Sequence, residues 1–202
     1  NISDGFMLSN STAYTNTADN GGAIYNNISI SMPTYTATVK SNTFYSYTVT
    51  NDGGAIYHAN GRFLIDGNTI HTSEAENNGG AIYLTGGANT VNIWNNIIYG
   101  TTAVAGAIYD NDASANIWYN TLYQNNATNG KGAGIYSAAT STSSIYNNIV
   151  DGGTGGSNGS AIAIDGTADA DYNLVAGYLA PYTPNSITPA NDIYDIFPTY
   201  VD

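Results

Sequence analysis

The sequence predicts an all-β fold: a right-handed, single-stranded parallel β-helix of about six to seven coils, each about 26 residues long with about three short strands. Three observations carry that expectation. A Gly-Gly-Ala-Ile-Tyr pentapeptide recurs at near-constant spacing, and a second motif, apolar-x-x-Asn-x-apolar, recurs in step with it. The runs between them are rich in Ile, Val, Tyr and Thr, are bounded by Gly, Asn and Asp, and show no 3.6-residue apolar period.

The pentapeptide occupies Gly21–Tyr25, Gly53–Tyr57 and Gly79–Tyr83, then weakens to Ala105–Tyr109, Gly132–Tyr136 and Gly159–Ala163. Its isoleucines, Ile24, Ile56, Ile82, Ile108, Ile135 and Ile162, are separated by 32, 26, 26, 27 and 27 residues, so one insertion around residues 28–36 accounts for the long interval. The second motif reads Val39…Asn42…Phe44, Ile65…Asn68…Ile70, Ile93…Asn96…Ile98, Ile117…Asn120…Leu122 and Ile145…Asn148…Val150, with a degraded copy at Ala170…Asn173…Val175. Propeller blades need about 40 residues, and helical arrays need helices, so both are excluded. Coils stacked at about 4.8 Å give a rod on the order of 30 Å long.

Strand alternation assigns faces. With the pentapeptide isoleucines inward, Ala23 and Tyr25 and their equivalents point outward. With Ile93, Ile117 and Ile145 inward, Trp94, Trp118 and Tyr146 point outward, and beyond the turn so do Tyr45, His71, Tyr99 and Tyr123. The asparagines Asn42, Asn68, Asn96, Asn120, Asn148 and Asn173 recur at one turn. There an inward Asn tolerates a left-handed backbone and bonds to the Asn above and below, as a structural ladder. The glycine pairs serve a tight turn or close coil packing. Residues 1–175 form the β-helix. In residues 176–202, Pro181, Pro184, Pro189 and Pro198 oppose central strands. Ile193, Tyr194, Ile196, Phe197, Tyr200 and Val201 there provide an irregular C-terminal cap over the open end.

Composition narrows the function classes. Three Lys and Arg stand against 15 Asp and Glu, a net charge of −12 that repels phosphate backbones and anionic membranes, so nucleic acid is not an expected partner. No apolar run reaches membrane-spanning length, so no direct membrane insertion is expected. Cysteine is absent, which a chain large enough for its own core tolerates in any compartment. Asn1, Asn10, Asn27, Asn126 and Asn158 begin N-x-S/T sequons, a number that chance supplies in so Asn- and Thr-rich a chain.

The paired Gly-Gly-Ala-Ile and apolar-x-x-Asn motifs resemble the repeats of chlamydial polymorphic membrane proteins. Ile2-Ser3-Asp4-Gly5-Phe6 and Asp171-Tyr172-Asn173-Leu174-Val175 are similar to segments of the β-helical domains called choice-of-anchor proteins. The resemblance spans about residues 2–175 and implies the pectate-lyase-like superfamily and an extracellular or cell-surface setting. That superfamily holds adhesins, structural passengers and polysaccharide enzymes alike, so it does not choose among them.

Lyases of that superfamily use a basic proton abstractor beside acids that hold Ca²⁺. Lys40, Arg62 and Lys131 fall at unrelated coil positions, so no catalytic residue is assigned. An inverting glycosidase needs two carboxyls ~6.5–9.5 Å apart. Asp66 and Asp171 share a column several coils apart, while Asp151 and Asp165 share a late coil at the ends of its strands. His58 and His71 lack a supporting acid or second His. Asp110-Asn111-Asp112 and Asp169 with Asp171 offer oxygens that suit Ca²⁺ without matching an EF-hand, and no other cofactor is indicated.

The outward aromatics are the sharper lead. Trp94, Trp118 and Tyr146, with Tyr99 and Tyr123, form a candidate ligand-binding stripe along the rod, although like-on-like stacking also stabilises sheets. The expected function is a non-catalytic structural or adhesive surface module. It contacts surface proteins, glycans or copies of itself, the last as a filament or sheath subunit. The alternative is a polysaccharide lyase or glycoside hydrolase acting on an extracellular polysaccharide.

Overall fold

The computed structural model describes residues 6–27, 36–86, 90–155, 159–177, 180–183 and 189–194. Outside these lie Asn1, Ile2–Gly5, Asn158, nearly all of the 28–36 insertion, and the cap residues Ile196, Phe197, Tyr200 and Val201. Every strand pairing is parallel and joins a strand to its counterpart one coil away, giving four sheets of seven, eight, six and seven strands. The chain is a parallel β-solenoid.

One coil shows the plan. Arg62–Asp66 lies in sheet A, Thr69–His71 in sheet B, Glu74–Ala75 in sheet C and Ile82–Leu84 in sheet D. A full coil therefore has four strands, not three. The additional one, sheet C, is two residues long in each of the six coils where it is described, too short to leave an alternation in the sequence. The long interval falls between strands Ile24–Asn27 and Thr36–Lys40, where sheet D leads back to sheet A. The strands flanking that step in the next coil, Ile56–Asn60 and Arg62–Asp66, are separated by Gly61 alone.

The core is one continuous column set. Val39, Ile65, Ile93, Ile117 and Ile145 stack in sheet A, and Phe44, Ile70, Ile98, Leu122 and Val150 in sheet B. Ile56, Ile82, Ile108, Ile135 and Ile162 stack in sheet D, and all fifteen are fully buried. Burying each aliphatic side chain contributes roughly 1.5–3 kcal/mol. The alanine of the pentapeptide does not face outward as alternation predicts: Ala55, Ala81, Ala107 and Ala161 are buried. In the first five coils strand D begins only at the isoleucine. In the first three coils the amides of the alanine and the isoleucine donate to the same carbonyl of the next coil, so the alanine sits in a bend and both side chains face the core.

Left-handed residues turn up to three corners of a coil. Between sheets A and B the residue at positive φ, 50–64°, is Asn10, Ser41, Gly67, Asn95, Tyr119, Asn147 or Tyr172. It immediately precedes the ladder position, so the left-handed residue is the neighbour of the inward asparagine, not the asparagine itself. Thr15, Ser46, Thr72, Gly100, Gln124 and Gly152 play the same part between sheets B and C, and a pentapeptide glycine does so before sheet D in five coils. A large side chain at such a φ is strained. Tyr119, at φ 59° and 58% exposed, gains little burial in return. Replacing it by Asn, the residue that fills this corner one coil away on either side, is expected to raise stability by about 1 kcal/mol. An unchanged or lower urea midpoint for Tyr119→Asn would contradict that.

At the C-terminal end, the described part of 176–202 is not wholly irregular. Ala180–Thr183 extends sheet D and Ile193–Tyr194 extends sheet B. Among the described residues the strand of Pro181 pairs on one side only, where a proline is accommodated. Tyr182 is buried and turns its hydroxyl toward Asn173 and Asp192, closing the core beneath the last coil.

Candidate functional site

The six asparagines form one buried column at the A–B corner. In the first five, Nδ2 donates to the Oδ1 of the next asparagine at 3.0–3.1 Å, from Asn42 through Asn68, Asn96, Asn120 and Asn148 to Asn173. The same Oδ1 also accepts the preceding asparagine's backbone N–H, and Nδ2 also reaches carbonyls of its own coil and of the one before. The column ends at Ser11, whose N–H donates to Asn42, and at Asp192, whose carboxylate accepts from the N–H of Asn173. A shorter polar column, legible only in the structure, runs inside the B–C corner. There Thr101 donates both its N–H and its hydroxyl to Asn125 Oδ1. Its positions read Tyr47, Ser73, Thr101 and Asn125, with no shared residue for a sequence motif to reveal.

The outward side chains stack into three columns. Sheet A carries Lys40, Asp66, Trp94, Trp118, Tyr146 and Asp171 in register. Sheet B carries Tyr14, Tyr45, His71, Tyr99, Tyr123 and Asp151. Sheet D carries Tyr25, Tyr57, Tyr83, Tyr109 and Tyr136. The predicted stripe is thus split between two sheets: Trp94, Trp118 and Tyr146 on A, Tyr99 and Tyr123 on B, all half-buried. The sheet D column was visible as outward tyrosines in the sequence but not as a site.

Ring geometry decides what these columns can present. Trp94 and Trp118 stack with centroids 5.9 Å apart and planes within 6°. Tyr99 and Tyr123 stack at 4.7 Å and 10°, and His71 lies over Tyr99 at 4.7 Å. Within a column each ring covers its neighbour's face, so a partner meets mainly ring edges and phenol hydroxyls at coil spacing. Only rings at column ends, such as the exposed Tyr14 and Tyr25, keep a face open.

The acids are largely engaged. Asp66 takes Lys40 at 2.9 Å and the Asn95 amide at 3.1 Å, and Asp165 takes Lys131 at 3.1 Å and the Tyr136 hydroxyl. Asp169 takes the Tyr146 hydroxyl, and Asp171 the backbone and side chain of Asn191. Among the described residues no three His, Cys, Asp or Glu side chains come together to hold a metal ion. Nor is any helix there long and apolar enough to cross a membrane. The candidate oxygen donor Asp110 points into the core, where its carboxylate accepts from the Ser143 hydroxyl and the Ala113 N–H, while Asp112 is half-exposed. His58 is also fully buried, with Nδ1 2.9 Å from the Asn26 amide nitrogen, whereas His71 sits in the outward sheet B column.

Burial pushes the Asp110 carboxyl up to about 6 and the His58 imidazole down to about 4. The folded-state value of Asp110 is raised, so its contribution is most favourable when protonated and is lost as pH climbs from about 4 through 6, by about 3 kcal/mol. His58 has the opposite sign and loses stability as pH falls from about 6.5 through 4. The difference in unfolding free energy between Asp110→Asn and the parent cancels His58. It is expected to shift in favour of the variant across pH 4 to 7; a pH-independent difference contradicts the assignment.

Compared with family models, curated proteins and solved structures, the chain matches none.

Proposed function

We propose that this chain is a non-catalytic structural or adhesive module of an extracellular or cell-surface protein. In this reading its outward columns contact surface proteins, glycans or further copies of the chain. The observation that carries it is the regularity of the exterior: aromatic edges and hydroxyls repeat at coil spacing along three sheets. Of the candidate carboxylates, Asp66 and Asp165 are each held by a cation and a hydrogen-bond partner. The resemblance of the repeat to chlamydial polymorphic membrane proteins and choice-of-anchor domains supports the same setting. Rows of amphipathic rings give large contact area at low entropic cost.

The Trp94–Trp118 pair is the first place to test. Trp94→Ala combined with Trp118→Ala is expected to weaken retention on immobilised neutral glycans, or self-association in sedimentation, while the circular dichroism of the fold persists. Unchanged retention and unchanged sedimentation would count against the stripe. Reducing ends or unsaturated products released from a polysaccharide panel, and lost in Asp66→Asn or Asp151→Asn, would replace this reading with the enzymatic one.

A further inference from the structure

The sheet D tyrosines form an unbroken π stack. Successive centroids from Tyr25 through Tyr57, Tyr83 and Tyr109 to Tyr136 are 5.1, 5.1, 5.4 and 4.7 Å apart, with planes within 17°. Phenols are among the side chains most easily oxidised by one electron, and rings in face contact pass the resulting hole between them because their π orbitals overlap. What limits phenol oxidation is the proton. The phenol radical cation is a very strong acid, so the electron leaves readily only where a base takes the proton with it.

The five phenols are not equivalent in this respect. Among the described residues, only Tyr136 of the column donates its hydroxyl to a carboxylate, that of Asp165. Lys131 anchors that carboxylate at 3.1 Å. Burial pushes the Asp165 carboxyl up, but the hydrogen bonds from Tyr136 and Lys131 outweigh it, so it stays ionised at neutral pH. Tyr136 is also the most sheltered of the five, 9% exposed, whereas Tyr25 at the far end is 56% exposed. The column therefore has an open entrance and a shielded terminus with a proton acceptor in place. The sheet B column lacks this arrangement: His71, an imidazole harder to oxidise than a phenol, interrupts it, and its tyrosines donate to no carboxylate among the described residues.

We propose that the sheet D column is a site of one-electron oxidation at which the radical comes to rest on Tyr136. The co-reactant is a one-electron oxidant at the surface, of the high-valent metal type. Tyr136 gives it one electron through the stacked rings and gives its phenolic proton to Asp165. The products are a neutral phenoxyl at Tyr136, a protonated Asp165 and the oxidant reduced by one electron. Such a column moves oxidising equivalents from the exposed rings to a sheltered one.

The test uses photogenerated tris(bipyridine)ruthenium(III), made from the ruthenium(II) complex and persulfate, followed by freezing and electron paramagnetic resonance. The parent chain is expected to show a long-lived neutral tyrosyl signal. That signal is lost in Tyr136→Phe, which removes the terminus, and in Asp165→Asn, which removes the base. It is also lost in Tyr109→Phe, which keeps the stack but takes away the adjoining phenol. It is retained in Tyr119→Phe, an exposed tyrosine outside the columns. A parent with no long-lived signal, or a signal undiminished in Tyr136→Phe or Asp165→Asn, would overturn the proposal.

Discussion

Asn120→Ala is expected to destabilise the rod by about 4 kcal/mol, because several buried groups lose their partners at once and each costs roughly 1–3 kcal/mol. Oδ1 of Asn120 accepts from both the N–H and the Nδ2 of Asn96, and its Nδ2 reaches the carbonyls of Ile93 and Trp118 and Oδ1 of Asn148. Alanine removes all five contacts and leaves a void too buried for easy hydration. Asn120→Asp is expected to be worse still at neutral pH, since a carboxylate cannot donate and would face three oxygens in the core. The control is Asn147→Asp, on the exposed left-handed corner before Asn148, where little change is expected. Urea unfolding of the three variants decides the matter; equal midpoints for Asn120→Asp and Asn147→Asp would contradict the ladder.

Gly54→Ala is expected to cost about 3 kcal/mol or more, the upper range for overpacking. A Cβ there would stand 2.1 Å from the carbonyl oxygen of Gly80 in the next coil, a backbone atom that cannot move without separating the coils. The glycine before it serves a different end: Gly53 is at φ 70°, and a Cβ would meet the carbonyl of Ile56 at 2.4 Å. The contrast is Gly67, at φ 64° in the A–B corner, where a Cβ would find only the Ser41 hydroxyl at 3.8 Å. Gly67→Ala carries the left-handed backbone cost alone, about 1–2 kcal/mol. Thermal melts in which Gly67→Ala is as damaging as Gly54→Ala would show that coil contact is not what the second glycine protects.

These two substitutions also mark what the sequence made legible. Asn120 and Gly54 belong to motifs repeated in phase, and a solenoid converts sequence period into spatial stacking, so both could be placed before any coordinates. The inward isoleucines and the outward Trp94 and Tyr99 followed from alternation for the same reason. The buried alanines did not, because Ala55 and its equivalents lie in a bend where alternation lapses. Sheet C escaped because two-residue strands carry no pattern. The polar column through Tyr47, Ser73, Thr101 and Asn125 escaped because four residue types fill one position. Asp110 read, beside Asn111 and Asp112, as an oxygen donor suited to Ca²⁺, yet it sits inside, where Ser143 and Ala113 satisfy its carboxylate. For the outward stripe, the sequence placed the rings but not their tilt. Stacking within 1–17° is what turns their faces toward one another and leaves edges for a partner.

The most direct test of the solenoid and its asparagine spine is hydrogen exchange at the asparagine side-chain amides, followed by NMR. Asn68, Asn96, Asn120 and Asn148, each bonded on both sides within the column, should keep their Nδ2 protons until the rod unfolds globally. The exposed Asn147 should exchange at once. Ladder amides that exchange as fast as those of Asn147 would contradict the account.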